Sequence, residues 1–389
     1  MRIALVHLRH AKSGGTERYL DRVSRFLAER GHDVTIVCRS HAEPSHPALR
    51  FVKLRPLAIG GAWRFWSFAK AVERHVEAAG YDVVYGLGRT WSQDVLRMGG
   101  GCVKTYLATA HDATRTPLER TLGLGKWKHR ISIALEERAL DPRGAGGKVR
   151  VIVNSEMVRR DVLERYALDP ARVVTIHNGV DLERFSPRHA EPGGSGARLR
   201  AELGIGEEQP AVLFLGTGYA RKGLDLVLGG FAEVLGREPR ARLVVCGFDS
   251  DRARYEARAR ELGVDAAVRF LGGRLDPEAV YAACDLYVLP TRYDPFANST
   301  LEALASGLPV ITSLTNGGAE LIAEGREGAS VDVIEDGAEG RVARALVDWT
   351  DLERLREARG AARGLAERHG ERGKFERAEA VLVEARRGG

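Results

Sequence analysis

The sequence predicts an α/β protein with two doubly wound parallel sheets, one in each half of the chain. In both halves, short apolar runs rich in β-branched residues alternate with amphipathic helical stretches. A segment rich in Pro and Gly, SPRHAEPGGSG at 186–196, separates the two series. The 389 residues also exceed what a single core usually organises. Two Rossmann-like domains are therefore expected, at 1–185 and 197–366, joined by a linker at 186–196.

In the first half, most strand candidates are followed by a helical pattern, which is typical of a parallel sheet with helices on its faces. The pattern weakens between residues 99 and 147, where a Gly-Gly-Gly turn and a basic stretch at 115–130 occur. The strand candidates are RIALVHL, DVTIVC, RFVKL, DVVYGL, VRVIVNS and RVVTIHNGVD, and helices are expected at 16–30, 63–79 and 131–140.

The second half repeats this alternation. Its strand candidates are AVLFLG, RLVVCG, VRFLG, LYVLP and PVITS, and helices are expected at 224–235, 253–262 and 277–284, after Asn298, and through 352–387. Two such halves joined by a linker imply a cleft, and ligands bind in such clefts at the carboxyl ends of strands.

The charge distribution indicates an anionic partner. Residues 1–185 contain 31 Lys and Arg against 20 Asp and Glu, a balance of +11, whereas the remainder, with 28 against 33, has a balance of −5. No helix-turn-helix, zinc or single-strand-binding signature accompanies this charge. An anionic membrane surface or a phosphorylated acceptor therefore fits better than nucleic acid.

The sequence also predicts a cytoplasmic protein without a bound metal. The chain enters the apolar run MRIALV without the basic region and cleavage site of a signal peptide, and no apolar run approaches the ~20 residues of a membrane span. Its four scattered cysteines lack metal-ligand spacing and are expected to be reduced thiols. The Asp-x-Asp sequence Asp249-Ser250-Asp251 is interpreted as a helix-capping turn.

The stretch PTRYDPFANSTLEALASGLP, at 290–309, is the strongest candidate for a ligand site. It predicts a strand end, a loop broken by Pro295 and a helix beginning near Asn298, with Asp294 and Glu302 on either side of the helix N-terminus. Unpaired N–H groups and the helix dipole favour an anion at such a terminus. The alternative interpretation is a turn aspartate and an exposed helix glutamate.

Two glycine-containing turns predict further anion contacts. Gly14 and Gly15 follow the first strand and precede a helix, so the backbone there can approach a ligand closely, unless this is an ordinary βα turn. Gly216 opens the sequence GTGYARKG, in which Arg221 occupies the place of the third glycine of a dinucleotide fingerprint. Arg221 and Lys222 at the start of a helix are unfavourable unless they neutralise an anion, and we interpret that anion as a diphosphate.

These motifs together resemble those of the retaining glycosyltransferases of family 4, which have the GT-B fold, and most closely those of the lipopolysaccharide core glucosyltransferase I group. The resemblance extends over nearly the full length. It rests on Gly14-Gly15 and on VRVIVNSEMVRRDV, HNGVDLERFSP, FLGTGYARKG, ACDLYVLPTRYDPFANSTLEALASGLPVI and TNGGAELI. It implies two Rossmann-like domains that face each other across a cleft, with a C-terminal helix at 367–389 returning to the N-terminal, acceptor-binding domain.

The resemblance implies that the donor nucleotide is held mainly by the second half. Glu302 matches the glutamate that holds the ribose, and Arg274 lies where such enzymes place the base. The donor phosphates would be bound by two side chains and by backbone groups of glycine and helix-start residues: Arg221, Lys222, Gly14, Gly15, Gly216, Asn298, Ser299 and Thr300.

Two residues are implied to act at the donor sugar. Asp294 stands where the family has the first glutamate of its E-x7-E motif, and its shorter side chain keeps the charge. His111, in ATAHDAT, is the candidate for the histidine that the N-terminal domain presents to the sugar; the alternative is a structural histidine that caps a turn.

The expected activity is transfer of a hexose, with glucose as the first choice, from a nucleotide diphosphate sugar, with UDP-glucose as the first choice. The acceptor would be a bacterial lipopolysaccharide core or another cell-envelope glycolipid. The protein would lie in the cytoplasm at the inner face of the membrane and use neither a metal nor a prosthetic group. A sugar-nucleotide epimerase of the same fold, such as a UDP-N-acetylglucosamine 2-epimerase, and a non-catalytic membrane-associated binding module are the alternatives.

Membrane contact is predicted from a basic stretch and neighbouring aromatic residues. The stretch at 115–130 contains Trp127, and Trp63, Phe65, Trp66 and Phe68 would add to it. The alternative for the second group is an aromatic helix packed on the sheet.

Overall fold

The computed structural model describes residues 1–11, 14–57, 60–88, 90–109, 126–141, 143 and 148–387. These residues form two compact units, each built around one parallel sheet. The first unit contains the described residues of 1–108 and 115–177 together with those from Arg372 onward, and the second contains Thr109 and Asn178–Glu371. The prediction of two doubly wound α/β domains is confirmed.

Seven strands form the main sheet of the first unit within the described residues, in the order β5-β3-β1-β6-β7-β8-β9, and a short pair, β2 and β4, lies beside it. Every pairing is parallel. The strands are β1 (Arg2–Val6), β2 (Arg9–His10), β3 (Asp33–Cys38), β4 (Ser40–His41), β5 (Arg50–Lys53), β6 (Val83–Gly86), β7 (Val95–Arg97), β8 (Arg150–Val153) and β9 (Val173–Thr175).

Six strands form the sheet of the second unit in the described residues, in the order β12-β11-β10-β13-β14-β15, again with parallel pairings. The neighbours β10 and β13 place the loops that follow them next to each other at the carboxyl edge. The strands are β10 (Ala211–Leu215), β11 (Arg242–Cys246), β12 (Val268–Gly272), β13 (Leu286–Leu289), β14 (Val310–Ser313) and β15 (Gly328–Val331).

Helices cover both faces of each sheet. Alternate residues of a strand point to opposite faces, and β1 accordingly sends Ile3 and Leu5 into one apolar cluster and Ala4 and Val6 into another. The helices are α1 (Gly15–Glu29), α2 (Gly60–Ala79), α3 (Val103–Thr109), α4 (Lys126–Leu140), α5 (Glu156–Arg165), α6 (Ser195–Glu202), α7 (Tyr219–Lys222), α8 (Leu224–Arg237), α9 (Arg252–Glu261), α10 (Pro277–Ala282), α11 (Asn298–Ala305), α12 (Ala338–Trp349), α13 (Leu352–Glu367) and α14 (Glu371–Glu384).

The last helix packs in the first unit, as the sequence predicts. Phe375, Ala378, Val381 and Leu382 of α14 lie in the same buried cluster as Leu20 of α1. A hydrogen bond of 2.7 Å between His32 Nε2 and Glu379 Oε1 fixes the helix at its polar edge.

The segment at 186–196 differs from the predicted linker. It contains a 3₁₀ turn at Pro187–Ala190 and leads into α6, and it lies inside the second unit, whose boundary with the first falls between His177 and Asn178. Gly196 is the physical reason, because a Cβ there would lie 2.4 Å from the Cβ of Ala282. The glycines of this segment therefore permit close packing.

Candidate functional site

The loop after β13 and the first turn of α11 form a helix terminus without a side-chain cap in the second unit. The helix begins at Asn298, and its N-cap residue, Ala297, makes no side-chain hydrogen bond to the first turn. The first N–H groups of a helix have no intrahelical partner and carry the positive end of its dipole. Asn298 is exposed and Ser299 is half-buried, so these groups are accessible to a phosphate, whereas Thr300 is buried.

A buried asparagine holds this loop in place. Asn316 Oδ1 accepts hydrogen bonds from the backbone N–H groups of Ala297 and Gly318, each at 3.1 Å. Its Nδ2 donates to Thr300 Oγ1 at 3.0 Å and to Thr312 Oγ1 at 2.9 Å. Asn316 therefore fixes the direction in which α11 begins, a role that the sequence motif TNGGAELI did not by itself reveal.

Asp294 pairs with both predicted diphosphate-binding side chains. Lys222 Nζ donates to Asp294 Oδ2 at 2.5 Å, and Arg221 Nη1 donates to the same oxygen at 3.3 Å. The other carboxylate oxygen accepts from the backbone N–H of Phe296 at 3.1 Å. Arg221, Lys222 and Asp294, which were all predicted from the sequence, thus lie together. Asp294 is four residues before the start of α11.

Burial and the neighbouring charges set the protonation of this cluster. Burial lowers the pKa of the Lys222 ammonium, against the opposing influence of Asp294. Burial alone would raise the pKa of Asp294, but the charges of Lys222 and Arg221 outweigh it, and the pKa lies below its ordinary value. At neutral pH the carboxylate is therefore ionised and offsets one of the two positive charges.

Glycines bring Lys222 to this position. Gly223 ends the one-turn helix α7 in the left-handed region, with φ of 79°. A Cβ on Gly223 would lie 2.2 Å from the carbonyl oxygen of Pro290, so only glycine permits this approach of α7 to the loop after β13. At Gly216, after β10, a Cβ would lie 3.1 Å from Cγ of Lys222. Gly216 therefore makes room for the lysine stem.

A second ion pair anchors the same turn. The backbone N–H of Arg292 donates to the carbonyl of Arg221 at 2.8 Å, and Thr291 Oγ1 donates to that carbonyl at 3.1 Å. The Arg292 guanidinium pairs with Asp225 Oδ2 at 2.6 Å. Sequence reasoning missed Thr291, Arg292 and Asp225, because these contacts join residues about 70 positions apart.

Glu302 lies one turn further along α11 and has a tyrosine partner. Tyr281, at α10, donates its phenolic hydrogen to Glu302 Oε2 at 2.9 Å. The pKa of Tyr281 is raised well above its ordinary value, first by burial and then by the Glu302 carboxylate, so the phenol remains a donor. Tyr281 thereby orients Glu302, which is half-buried.

Two other polar groups occupy the carboxyl edge of this sheet. Arg274 follows β12 and forms a bidentate pair with Asp276, at 2.9 and 2.8 Å, so the structure does not bring it into the Asp294 cluster. Asp249 accepts from the backbone N–H groups of Tyr219, at 2.6 Å, and Asp251, at 2.7 Å, which makes it a capping residue for α7. Across the described part of the chain, no group of three or more His, Cys, Asp or Glu is placed to hold a metal ion.

The remaining sequence-predicted site residues belong to the first half of the chain. Gly14 is the N-cap of α1, with φ of 97°, and Gly15 has no neighbouring atom within 4 Å of a Cβ built on it. Both lie in the first unit. His111 lies outside the described residues.

The aromatic residues near the basic stretch divide between surface and core. Trp63 and Trp127 are exposed, by 60% and 71%, and the guanidinium carbon of Arg130 lies 5.1 Å from the Trp127 ring centre. Phe68 is buried, and the rings of Trp66 and Trp91 are 5.1 Å apart. Helix α2 therefore packs partly on the sheet. None of the helices in the described ranges is both long and apolar enough to cross a membrane.

Comparison with known families accounts for most of the chain. Residues 13–184 match the family described as Glycosyltransferase Family 4, and residues 196–361 match the family described as Glycosyl transferases group 1. The two halves of the chain thus match two families of glycosyltransferases. The predicted family resemblance is thereby confirmed.

Curated relatives of the chain include the D-inositol 3-phosphate glycosyltransferase of Corynebacterium aurimucosum. The two are 33% identical over 217 residues, which are 53% of this chain and 48% of the relative. The chain thus spans about half the length of the curated relatives it matches.

Solved structures share the GT-B fold. WaaG, a glycosyltransferase involved in lipopolysaccharide biosynthesis, superposes with a TM-score of 0.79 at 24% identity over 100% of both chains. Anabaena Alr3699/HepE, solved in complex with UDP and glucose, superposes with a TM-score of 0.69 at 17% identity over 99% of both chains.

Proposed function

We propose that this glycosyltransferase moves a hexose from a nucleotide diphosphate sugar to an acceptor hydroxyl, with retention at the anomeric carbon. The observation that carries the proposal is the placement of Arg221 and Lys222 beside the uncapped start of α11, at the carboxyl ends of the neighbouring strands β10 and β13. Two cations and a helix N-terminus in one hydrogen-bonded loop suit a diphosphate.

The chemistry follows from this arrangement. A bound diphosphate replaces Asp294 as the main counter-charge of Lys222. As the bond between the anomeric carbon and the diphosphate oxygen breaks, its electron pair stays on the diphosphate, and Arg221, Lys222 and the first N–H groups of α11 stabilise the added charge. The acceptor oxygen forms its bond to the same face of the anomeric carbon, and its proton passes to the departing diphosphate oxygen.

The other site residues complete the donor site. Glu302, oriented by Tyr281, accepts from the ribose hydroxyls, and Arg274 lies by the base. Asp294 is freed by the re-pairing of Lys222 and turns toward the donor sugar, to which the family resemblance also assigns His111. Gly216, Asn298, Ser299 and Thr300 line the phosphates, and the family resemblance adds Gly14 and Gly15 to this set.

We propose UDP-glucose as donor and a lipopolysaccharide core or another envelope glycolipid as acceptor. The balance of +11 in residues 1–185 and the exposed Trp63 and Trp127 support action at the anionic inner face of a bacterial cytoplasmic membrane. The donor site contains its own cations for the leaving group, which supports a reaction without metal or prosthetic group.

A donor panel tests the proposal. We expect UDP-sugars to raise the unfolding temperature more than ADP- or GDP-sugars do, and nuclear magnetic resonance of the product to show the donor's anomeric configuration. Stabilisation by none of the sugar nucleotides would contradict a donor site. Conversion of the donor alone into another sugar nucleotide would favour the epimerase, and full biological activity of Lys222→Ala would favour the binding module.

A further inference from the structure

The motif HNGVDLERFSP, at 177–187, contributes no residue to the proposed donor site, although the family resemblance rests on it in part. Its second residue, Asn178, opens the main segment of the second unit and is 5% exposed. Buried polar side chains are generally hydrogen-bonded. Asn178 Nδ2 donates to the carbonyl oxygen of Phe296 at 3.2 Å. The motif therefore contacts the loop that leads into α11.

The contact with Phe296 lies two residues before α11 begins. Side chains hold both polar groups of this backbone unit, because the N–H of Phe296 donates to Asp294 Oδ1 at 3.1 Å and its carbonyl accepts from Asn178. The N–H of the next residue donates to Asn316 Oδ1. Asn178 therefore belongs to the set of side chains that orient the backbone where the helix starts.

The other end of α11 is attached to the same motif. Ala305 is the last residue of the helix, and Arg363 Nη1, from α13, donates to its carbonyl at 2.7 Å and to the carbonyl of Phe185 at 2.9 Å. The last carbonyls of a helix have no intrahelical partner and carry the negative end of its dipole. The Arg363 guanidinium therefore satisfies one of them and links the end of α11 to the motif.

The motif itself is fixed within the second unit. The N–H of Val180 donates to the carbonyl of His369 at 3.0 Å, and its carbonyl accepts from the N–H of Glu371 at 3.2 Å. A Cβ on Gly179 would lie 2.7 Å from Cα of Glu371, so glycine permits this close approach. The motif therefore offers α11 a firm support at both of its ends.

We propose that Asn178 and Arg363 are positioning residues of the donor site, which hold the two ends of α11 and thereby aim its first N–H groups at the diphosphate. The inference rests on the proposed function, because it requires a diphosphate at this helix. Each side chain acts through a backbone carbonyl and not by touching the donor. A misplacement of about 1 Å in an active site can cost about 10²-fold in rate, so the support of the helix matters to the chemistry.

Calorimetric titration of the full chain with UDP tests the proposal. Asn178→Leu removes the amide and keeps the approximate size of the side chain, and Arg363→Gln removes the guanidinium at the far end of the helix. Each substitution should weaken UDP binding about three- to ten-fold, which is the effect of about one lost hydrogen bond.

Two matched controls separate positioning from the general cost of such substitutions. Asn154→Leu removes a buried amide in the first unit, whose Nδ2 donates to the carbonyl of Gly99 at 3.0 Å. Arg356→Gln makes the same charge change on α13 at an exposed position, where Arg356 pairs with Glu208 at 3.1 Å. Both controls should change the UDP affinity by less than about two-fold, because their hydrogen bonds lie elsewhere.

Phosphorus nuclear magnetic resonance of bound UDP gives a readout that a loss of stability alone does not move. A displaced α11 changes the N–H groups and charges around the two phosphorus atoms. We therefore expect their chemical shifts at saturation to differ from those in wild type for Asn178→Leu and Arg363→Gln, and to equal them for the controls. A variant that is merely less stable gives the wild-type shifts once it is saturated.

Wild-type UDP affinity and phosphorus shifts in both variants would overturn the proposal, and so would equal losses in the controls. An effect of one variant alone confirms the residue changed in it and overturns the other. If Asn178→Leu does not fold, Arg363→Gln decides by the same two measurements. Normal UDP binding by wild type and by all variants overturns this inference alone, whereas absence of UDP binding to the wild type contradicts the donor site itself, and the inference falls with it.

Discussion

Asp294→Asn removes the charge that faces both cations of the donor site and keeps the shape of the side chain. Asp294 Oδ2 lies 2.5 Å from Lys222 Nζ and 3.3 Å from Arg221 Nη1. In the variant, the buried ammonium has only a like charge beside it. We expect the ligand-free protein to unfold at lower temperature and to bind UDP more tightly, because the diphosphate no longer competes with a carboxylate for Lys222.

The size of the effect follows from burial. Lys222 is 7% exposed, and removing one partner of a buried ion pair costs about 3–5 kcal/mol. Asparagine keeps an acceptor for the backbone N–H of Phe296, which lies 3.1 Å from Oδ1 in the native protein, so the lower end, about 3 kcal/mol, applies. For a unit of this size the unfolding midpoint should fall by about 6–12 °C.

The pH dependence of the unfolding midpoint gives an independent check on the role of Asp294. Burial would raise the pKa of Asp294, but Lys222 and Arg221 depress it below the ordinary value. A carboxylate with a depressed folded-state pKa stabilises the protein above its unfolded pKa, about 3.9, and this contribution is lost as pH falls through the folded-state value. The difference in midpoint between wild type and variant should therefore be full at neutral pH and shrink in acid.

Thermal unfolding across pH, with and without UDP, measures these effects. Asp225→Asn is the matched control, because Asp225 pairs with Arg292 at 2.6 Å but its side chain is 46% exposed, and exposed pairs contribute about 0–1 kcal/mol. If Asp294→Asn shifts the midpoint no more than this control and leaves the affinity for UDP unchanged, Asp294 is not the counter-charge of the donor site.

Three further substitutions probe the same site. Lys222→Met should lower kcat/KM for hexose transfer about 10²- to 10³-fold, measured by initial rates, because a charge-stabilising donor to the leaving group is lost. Tyr281→Phe should raise the KM for the sugar nucleotide about five-fold with little change in kcat, because Glu302 loses its orienting hydrogen bond. Asn316→Ala should lower the free energy of unfolding by about 2–3 kcal/mol in urea titrations, because buried backbone N–H groups lose their acceptor.

One result for each substitution would contradict its expected outcome. Transfer by Lys222→Met at the wild-type rate would remove Lys222 from the reaction. A loss of kcat at constant KM in Tyr281→Phe would assign Tyr281 to the chemical step, and urea stability of Asn316→Ala equal to that of wild type would show that the loop does not depend on Asn316.

Most of the strands were predictable because both faces of each parallel sheet are buried, whereas the short strands β2, β4, β7 and β15 were not among the candidates. A run such as AVLFLG must be apolar throughout, and in the structure Ala211 to Phe214 are almost completely inaccessible. The position of helix α14 in the first unit was implied by the family resemblance and not by the residues of the helix themselves. The prediction of a linker at 186–196 was wrong, because glycine permits both a loose linker and close packing. The close approach of Ala282 to Gly196, which the sequence does not show, decides between the two.

The contacts inside the candidate site were less accessible to sequence reasoning. Motifs identified Lys222 and Asp294 separately, yet their ion pair joins residues 72 positions apart and depends on the register of β10 and β13. Asn316 has partners in three different segments, and nothing in its own neighbourhood signals that a side chain points inward. The position of Gly223 against Pro290 shows the same limitation, since the requirement for glycine comes from a distant carbonyl.

The placement of α14 has a consequence for the order in which the protein folds. Phe375 and Leu382 complete the apolar cluster that contains Leu20, so the first unit cannot close this cluster until α14 has been synthesised. The main segment of the second unit, Asn178–Glu371, lies between these two parts of the first unit and has its own core. The apolar core of the first unit is therefore completed by a segment that follows the second unit in the sequence.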